Sequence, residues 1–175
     1  MVRPVSPARD VKPGYVVTYP NRDKASSRRT KVVIALVLVI SVVLMLVVTV
    51  GGWSKLEGLI PLNIAWCLVY LVIARYVLRW ARGLLPIAAA LAALMLIFTV
   101  IAVTSLAGVT WSDRGAPGYA PAHALFGGSG LSSGTLSAFT LLIALSQAVL
   151  IVVAMRGFAQ GWNIEYEVPA RQAGG

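Results

Sequence analysis

Catalysis needs side chains that exchange protons, attack an electrophile or ligate a metal, and this 175-residue chain has few of them. Its one histidine, His123, has Asp113 as its nearest carboxylate in sequence, within a stretch rich in Gly, Pro and Ser. One imidazole and one carboxylate make a poor metal shell, because zinc sites draw three or four ligands from His, Cys and carboxylates. The single cysteine, Cys67, has no partner in the chain for a disulfide or a thiolate metal site. There is no nucleophile elbow, zinc-binding helix motif, phosphate-cradling loop or haem attachment sequence. The expectation is therefore a protein that is not an enzyme, with no catalytic, cofactor-binding or metal-ligating residues. An interfacial enzyme drawing on Asp113 and His123 is a third reading, behind two non-catalytic ones.

The elements that would have to position any such groups are four long apolar stretches, Val32–Val50, Leu59–Ala74, Leu84–Ala107 and Leu136–Met155, none containing Asp, Glu, Lys, Arg or His. A bilayer core of ~30 Å takes about 20 apolar residues per helix, and backbone inside it must satisfy its own hydrogen bonds. Only 12% of residues are charged, about half the level of soluble domains. These features predict an all-α membrane protein with four transmembrane helices in an up-down bundle, over residues 32–50, 59–78, 84–107 and 136–155. A basic segment, 1–31, precedes this 32–155 domain, a loop spans 108–135, and a tail covers 156–175. The first stretch is too long, and too far from the first residue, for a cleaved signal sequence, so it is read as a helix that stays.

Charge orients the bundle. Residues 1–31 carry eight Lys and Arg against Asp10 and Asp23, and the connection between spans two and three adds Arg75, Arg79 and Arg82. The other connections and the tail are neutral. Positive-inside bias places both termini in the cytoplasm. The basic segment also suits anionic lipid headgroups, at about 1 kcal/mol per cation. Its prolines and the lack of a binding motif argue against nucleic acid. Arg75 is expected to snorkel from the inner end of span two.

Short connections predict that spans one to three lie side by side in chain order, with Trp53 and Trp80 at headgroup level. Small and polar residues mark helix contacts in lipid. Span three offers Ala88, Ala92, Met95, Thr99 and Ala102 on one face, and span four offers Ser137, Thr140, Ala144, Gln147 and Ile151. Asn63, Thr99, Thr140 and Gln147 are the candidate helix-packing polar residues. Span one, nearly all Val, Leu and Ile, reads as lipid-facing.

Two segments outside the spans carry candidate interaction residues. In the 108–135 loop these are Trp111, Asp113 and Arg114, within an interfacial turn where Asp113 pairs with Arg114 or a partner, followed by a Gly/Ser-rich linker. In the tail, Trp162, Ile164 and Tyr166 belong to an alternation running from Gln160 to Val168, a strand signal. Tyr15–Tyr19 is a second strand-favouring segment. The two either pair as a small ribbon, add a strand to a partner's sheet edge, or remain unstructured.

The run Trp111-Ser112-Asp113-Arg114 with Pro117-Gly118-Tyr119, and Ala154-Met155-Arg156-Gly157-Phe158 followed by Gly161-Trp162-Asn163, resembles small four-helix membrane proteins of high-GC Gram-positive bacteria. The resemblance implies a bacterial plasma-membrane location and carries no reaction or ligand with it. The leading expectation is a non-enzymatic accessory or scaffold subunit of a membrane complex, with a membrane-protein partner or further copies of itself. The competing one is an oligomeric channel or transporter component in which Thr99, Thr140 and Gln147 line a path.

Overall fold

A computed structural model describes residues 14–104, 110–111, 113 and 123–170. In chain order the elements are β1 (Tyr15–Thr18), α1 (Pro20–Asp23), α2 (Ala25–Gly51), α3 (Trp53–Leu56), α4 (Ile60–Leu78), α5 (Leu85–Val103), α6 (Ser133–Ala159) and β2 (Tyr166–Pro169). The helices α2, α4, α5 with its preceding turn, and α6 are long and apolar enough to cross a membrane. Helix α2 starts ahead of the apolar stretch, so that Arg28, Arg29 and Lys31 ride on its opening turns. Helix α5 stops at Val103, and Thr104 is already extended. The expected last residues of that span, 105–107, lie outside the described residues.

Local sequence sets these boundaries. Pro61 and Pro86 occupy the first turns of α4 and α5, where a missing N–H is least harmful. Ser132 caps α6, its hydroxyl accepting the Thr135 N–H at 3.2 Å. Helix α4 ends in a Schellman motif: the Ala81 N–H donates to Tyr76 O and the Trp80 N–H to Val77 O. The left-handed position of this motif usually holds glycine, yet here Trp80 takes it, at φ 68°. A non-glycine residue there costs about 1–2 kcal/mol, so its side chain must be held by its surroundings.

The helices do not pack in chain order. Helix α2 packs on α4 and α6, and α6 on α5, while α4 and α5 barely touch despite the short turn between them. The order across the molecule is α4, α2, α6, α5. This corrects the expectation that spans one to three would lie side by side. It also corrects the lipid-facing reading of span one, since Ile34, Leu38, Ser41 and Met45 of α2 are essentially inaccessible. Residue size explains the arrangement: α5 buries Ala88, Ala89 and Ala92, and α6 contributes Ala144, Ala154 and Gly157. Small side chains let backbones approach closely, the main source of helix affinity in lipid. At Gly157 a Cβ would lie 2.8 Å from Ile34 Cδ1 and 3.2 Å from Leu85 Cδ1, so three helices converge there because the residue has no side chain.

The two tail segments meet as an antiparallel ribbon, with Val16 opposite Val168 and Thr18 opposite Tyr166. The strand is shorter than the alternation suggests, because Gly161 at φ 63° and the Ile164 N–H to Gly161 O bond turn the chain first. Trp162 anchors the ribbon to the helices. It is fully buried, packs edge-on against Trp80 at 5.4 Å, and donates its indole N–H to Gln160 Oε1 at 3.0 Å.

Candidate functional site

Several polar side chains of the spans are engaged with one another. Gln147 on α6 is fully buried; its Oε1 accepts the Tyr70 hydroxyl of α4 at 2.7 Å, and its amide donates to Ser41 Oγ of α2 at 3.1 Å. Ser146 Oγ lies 2.9 Å from Ser41 Oγ, closing a network across three helices. Asn63, at the start of α4, donates to Thr49 Oγ1 on α2. Thr140 accepts the Trp111 indole N–H at 2.9 Å and donates to Leu136 O. Thr99 donates within its own helix, to Met95 O and Leu96 O, and so makes no bond between helices. Such an arrangement fixes helix register.

Of the loop residues, Trp111 is buried against α6, where its indole N–H meets Thr140. The carboxylate of Asp113 accepts the backbone N–H and the hydroxyl of Thr110, at 2.8 and 2.7 Å. These bonds, the hydroxyl's first, hold its pKa below the ordinary carboxylate value. Arg114 lies outside the described residues, as does most of the loop sequence that carried the resemblance. His123 pairs through its backbone with Ser54, and no metal-competent group of His, Cys, Asp and Glu occurs among the described residues. In the tail, Trp162 is fully buried, its indole meeting Trp80 and Gln160 within the chain. Ile164 is 37% exposed and Tyr166 partly so.

The separation of α4 from α5 leaves a lateral cleft that sequence reasoning missed. Its outer lobe, of about 280 Å³, is bounded by Leu62 and Trp66 of α4 and by Phe98 and Thr99 of α5, and reaches inward to Met45, Trp111 and Thr140. Its inner lobe is walled by Leu68, Val69, Val72 and Tyr76 of α4, with Leu84 and Ile87 opposite. Within the outer lobe, its two wall residues Trp66 and Phe98 meet edge-on at 6.1 Å. The walls are almost wholly apolar, so the cleft can take hydrocarbon or an apolar helix and offers little to a polar solute.

At the ribbon end, cations from several elements gather. Arg22 donates Nε–H to Trp162 O at 3.0 Å and lies 3.8 Å from the Tyr19 ring centroid, and Lys31 Nζ is 3.9 Å from the Trp80 ring centroid. Arg82 donates to Phe158 O at 2.7 Å. The Tyr19 hydroxyl donates to Glu165 at 2.8 Å, which raises the phenol's pKa above its ordinary value. The cluster joins parts of the chain 140 positions apart, so local sequence gives no signal for it. No family model, curated protein or solved structure matches this chain.

Proposed function

We propose that this protein is a non-enzymatic accessory or scaffold subunit of a membrane complex, and that the cleft between α4 and α5 receives a transmembrane helix of a partner chain. The observation that carries this reading is the cleft itself: two neighbouring helices joined by a short turn stand apart, with apolar lobes toward both ends. A groove between two helices suits a third helix, docked through side chains at i, i+3, i+4 and i+7. The polar groups of the spans support the same view, because Gln147, Tyr70, Ser41 and Asn63 are already bonded within the chain. The competing channel reading has Thr99, Thr140 and Gln147 line a path; Thr99 and Thr140 border the outer lobe, whose walls are otherwise almost wholly apolar, and Gln147 is fully buried in its network.

The membrane orientation belongs to this proposal too. Arg22, Lys31, Arg79, Arg82 and Arg156 fall at the ribbon end of the helices, whereas Lys55 is at the opposite end. By the positive-inside rule the helices alternate direction, with the ribbon and both tails in the cytoplasm. The resemblance noted above favours a bacterial plasma membrane.

Affinity purification from native membranes in mild detergent tests the proposal. Wild-type chain is expected to carry a stoichiometric membrane-protein partner, and a Val72→Trp/Ile87→Trp variant, which fills the inner lobe, is expected to lose it while remaining folded. Recovery of the same partner with both chains would place the contact elsewhere. Recovery of the chain only with copies of itself would make the occupant a second copy.

A further inference from the structure

We propose that the groove where β1, α1, the opening of α2 and the α4–α5 turn meet is a binding site for the headgroup of an anionic phospholipid, with Arg22 and Lys31 as the phosphate-holding cations. The groove, of about 610 Å³, is lined by Tyr19, Arg22, Asp23, Arg28, Lys31 and Trp80, with Val32 completing its apolar side. Its charges are unequal. Arg28 is tied to Asp23 at 3.2 Å, and the nearby Glu165 accepts the Tyr19 hydroxyl. Arg22 and Lys31 therefore remain as the cations without a carboxylate partner among the described residues.

Both cations are held in place before any ligand arrives. The Arg22 Nε–H is bound to Trp162 O and its guanidinium lies over Tyr19, which leaves the Nη groups to meet an anion. Lys31 rests on the face of Trp80, and the Schellman motif fixes Trp80. Ordering these long side chains in advance lowers the entropic loss on binding, and a planar guanidinium beside an ammonium suits phosphate oxygens.

Location selects a lipid over a soluble anion. Lys31 is the last charged residue before the apolar run of α2, and Val32, Val33 and Leu36, 41–55% exposed, continue directly from the groove along the outer face of that helix. A phosphate on Arg22 and Lys31 would thus leave its acyl chains beside a lipid-facing surface, with Trp80 at the interface between them. A diffuse basic surface would not distinguish these two cations from Lys24 and Arg29, which are exposed and outside the groove.

Native mass spectrometry of the full chain in detergent, titrated with phosphatidylglycerol or phosphatidylcholine, tests the site. The expected result is one phosphatidylglycerol retained in preference to phosphatidylcholine. Retention should weaken about fivefold with Lys31→Gln or Arg22→Gln, the loss of one interfacial cation, and be unchanged by Lys24→Gln or Arg29→Gln. The Lys31 variant guards against a folding artefact, since Lys31, unlike Arg22, makes no bond to the Trp162 backbone. Equal weakening by all four variants would overturn the site in favour of diffuse attraction. Equal retention of the two lipids would overturn it outright, and displacement of the lipid by inorganic phosphate at matching concentration would reassign the groove to a soluble anion. None of these outcomes depends on whether a helix occupies the α4–α5 cleft.

Discussion

The seam between α5 and α6 and the cleft between α4 and α5 are both formed by apolar, span-length helices, yet one is closed and the other open. The seam is made of Ala88, Ala89 and Ala92 against a helix bearing Ala144, Ala154 and Gly157; the cleft is walled by Leu68, Val72, Tyr76 and Ile87. In lipid, apolar character gives no preference for one neighbour over another, so the depth of approach decides which helices associate. A six-residue turn from Arg79 to Leu84 keeps α4 and α5 near each other without making them pack. The difference also separates two kinds of residue: those that hold this chain together and those available to another molecule.

Substitutions on the two sides should therefore differ in effect. The largest is expected on the closed side, at the ribbon anchor, where Trp162→Ala removes a fully buried indole and its contact with Trp80. Losses for such truncations run to about 3–5 kcal/mol, visible as a lower thermal midpoint in detergent. Gly157→Val comes next, since even its Cβ would meet Ile34, Leu85 and Trp162, and overpacking costs about 1–3 kcal/mol. Gln147→Leu should cost about 0.6–1.7 kcal/mol, the span found for hydrogen bonds between membrane helices, and a double-mutant cycle with Tyr70→Phe should show coupling. If Val72→Trp, on the open side, lowered stability as much as Gly157→Val, the distinction between seam and cleft would fail; a change below about 0.5 kcal/mol is expected.

The smallest effect is a pH dependence confined to the ribbon. The Tyr19 phenol is raised above its ordinary value of 10.0, first because its hydroxyl donates to Glu165. A raised folded-state pKa means that the stabilisation is present below pH 10 and is lost as pH climbs through the higher folded value. Phenolate absorbance should show Tyr19 ionising late, and Glu165→Gln should return the transition toward its ordinary position. An unmoved transition in that variant would remove the Tyr19–Glu165 bond from the description of the ribbon.

Which parts of this structure could be read from residue order follows from where the contrasts lie. The four spans stand out because uncharged runs differ sharply from their flanks, and the ribbon strands because Tyr15–Thr18 and Tyr166–Pro169 favour extended backbone. The packing order was hidden, since a helix of Val, Leu and Ile such as α2 looks the same toward lipid as toward another helix. Trp162 fitted an alternating strand pattern, and nothing in that pattern distinguishes a side chain that anchors from one that is offered to a partner. The cation groove depends on Trp80 standing at a glycine-type position and on Arg22 reaching Trp162, neither of which has a local signature. Gln147 was recognisable as a polar residue in an apolar span, but its partners Tyr70 and Ser41 emerged only with the helix order.

Site-specific photocrosslinking in native membranes tests most directly whether the cleft receives a partner helix. Probes at Val72 and Ile87, in the inner lobe, are expected to capture one defined partner chain, while probes at Val149 and Val152, exposed on α6, capture lipid. Capture of lipid alone from all four positions, or of the same chain with equal yield from both faces, would contradict the proposed role of the cleft.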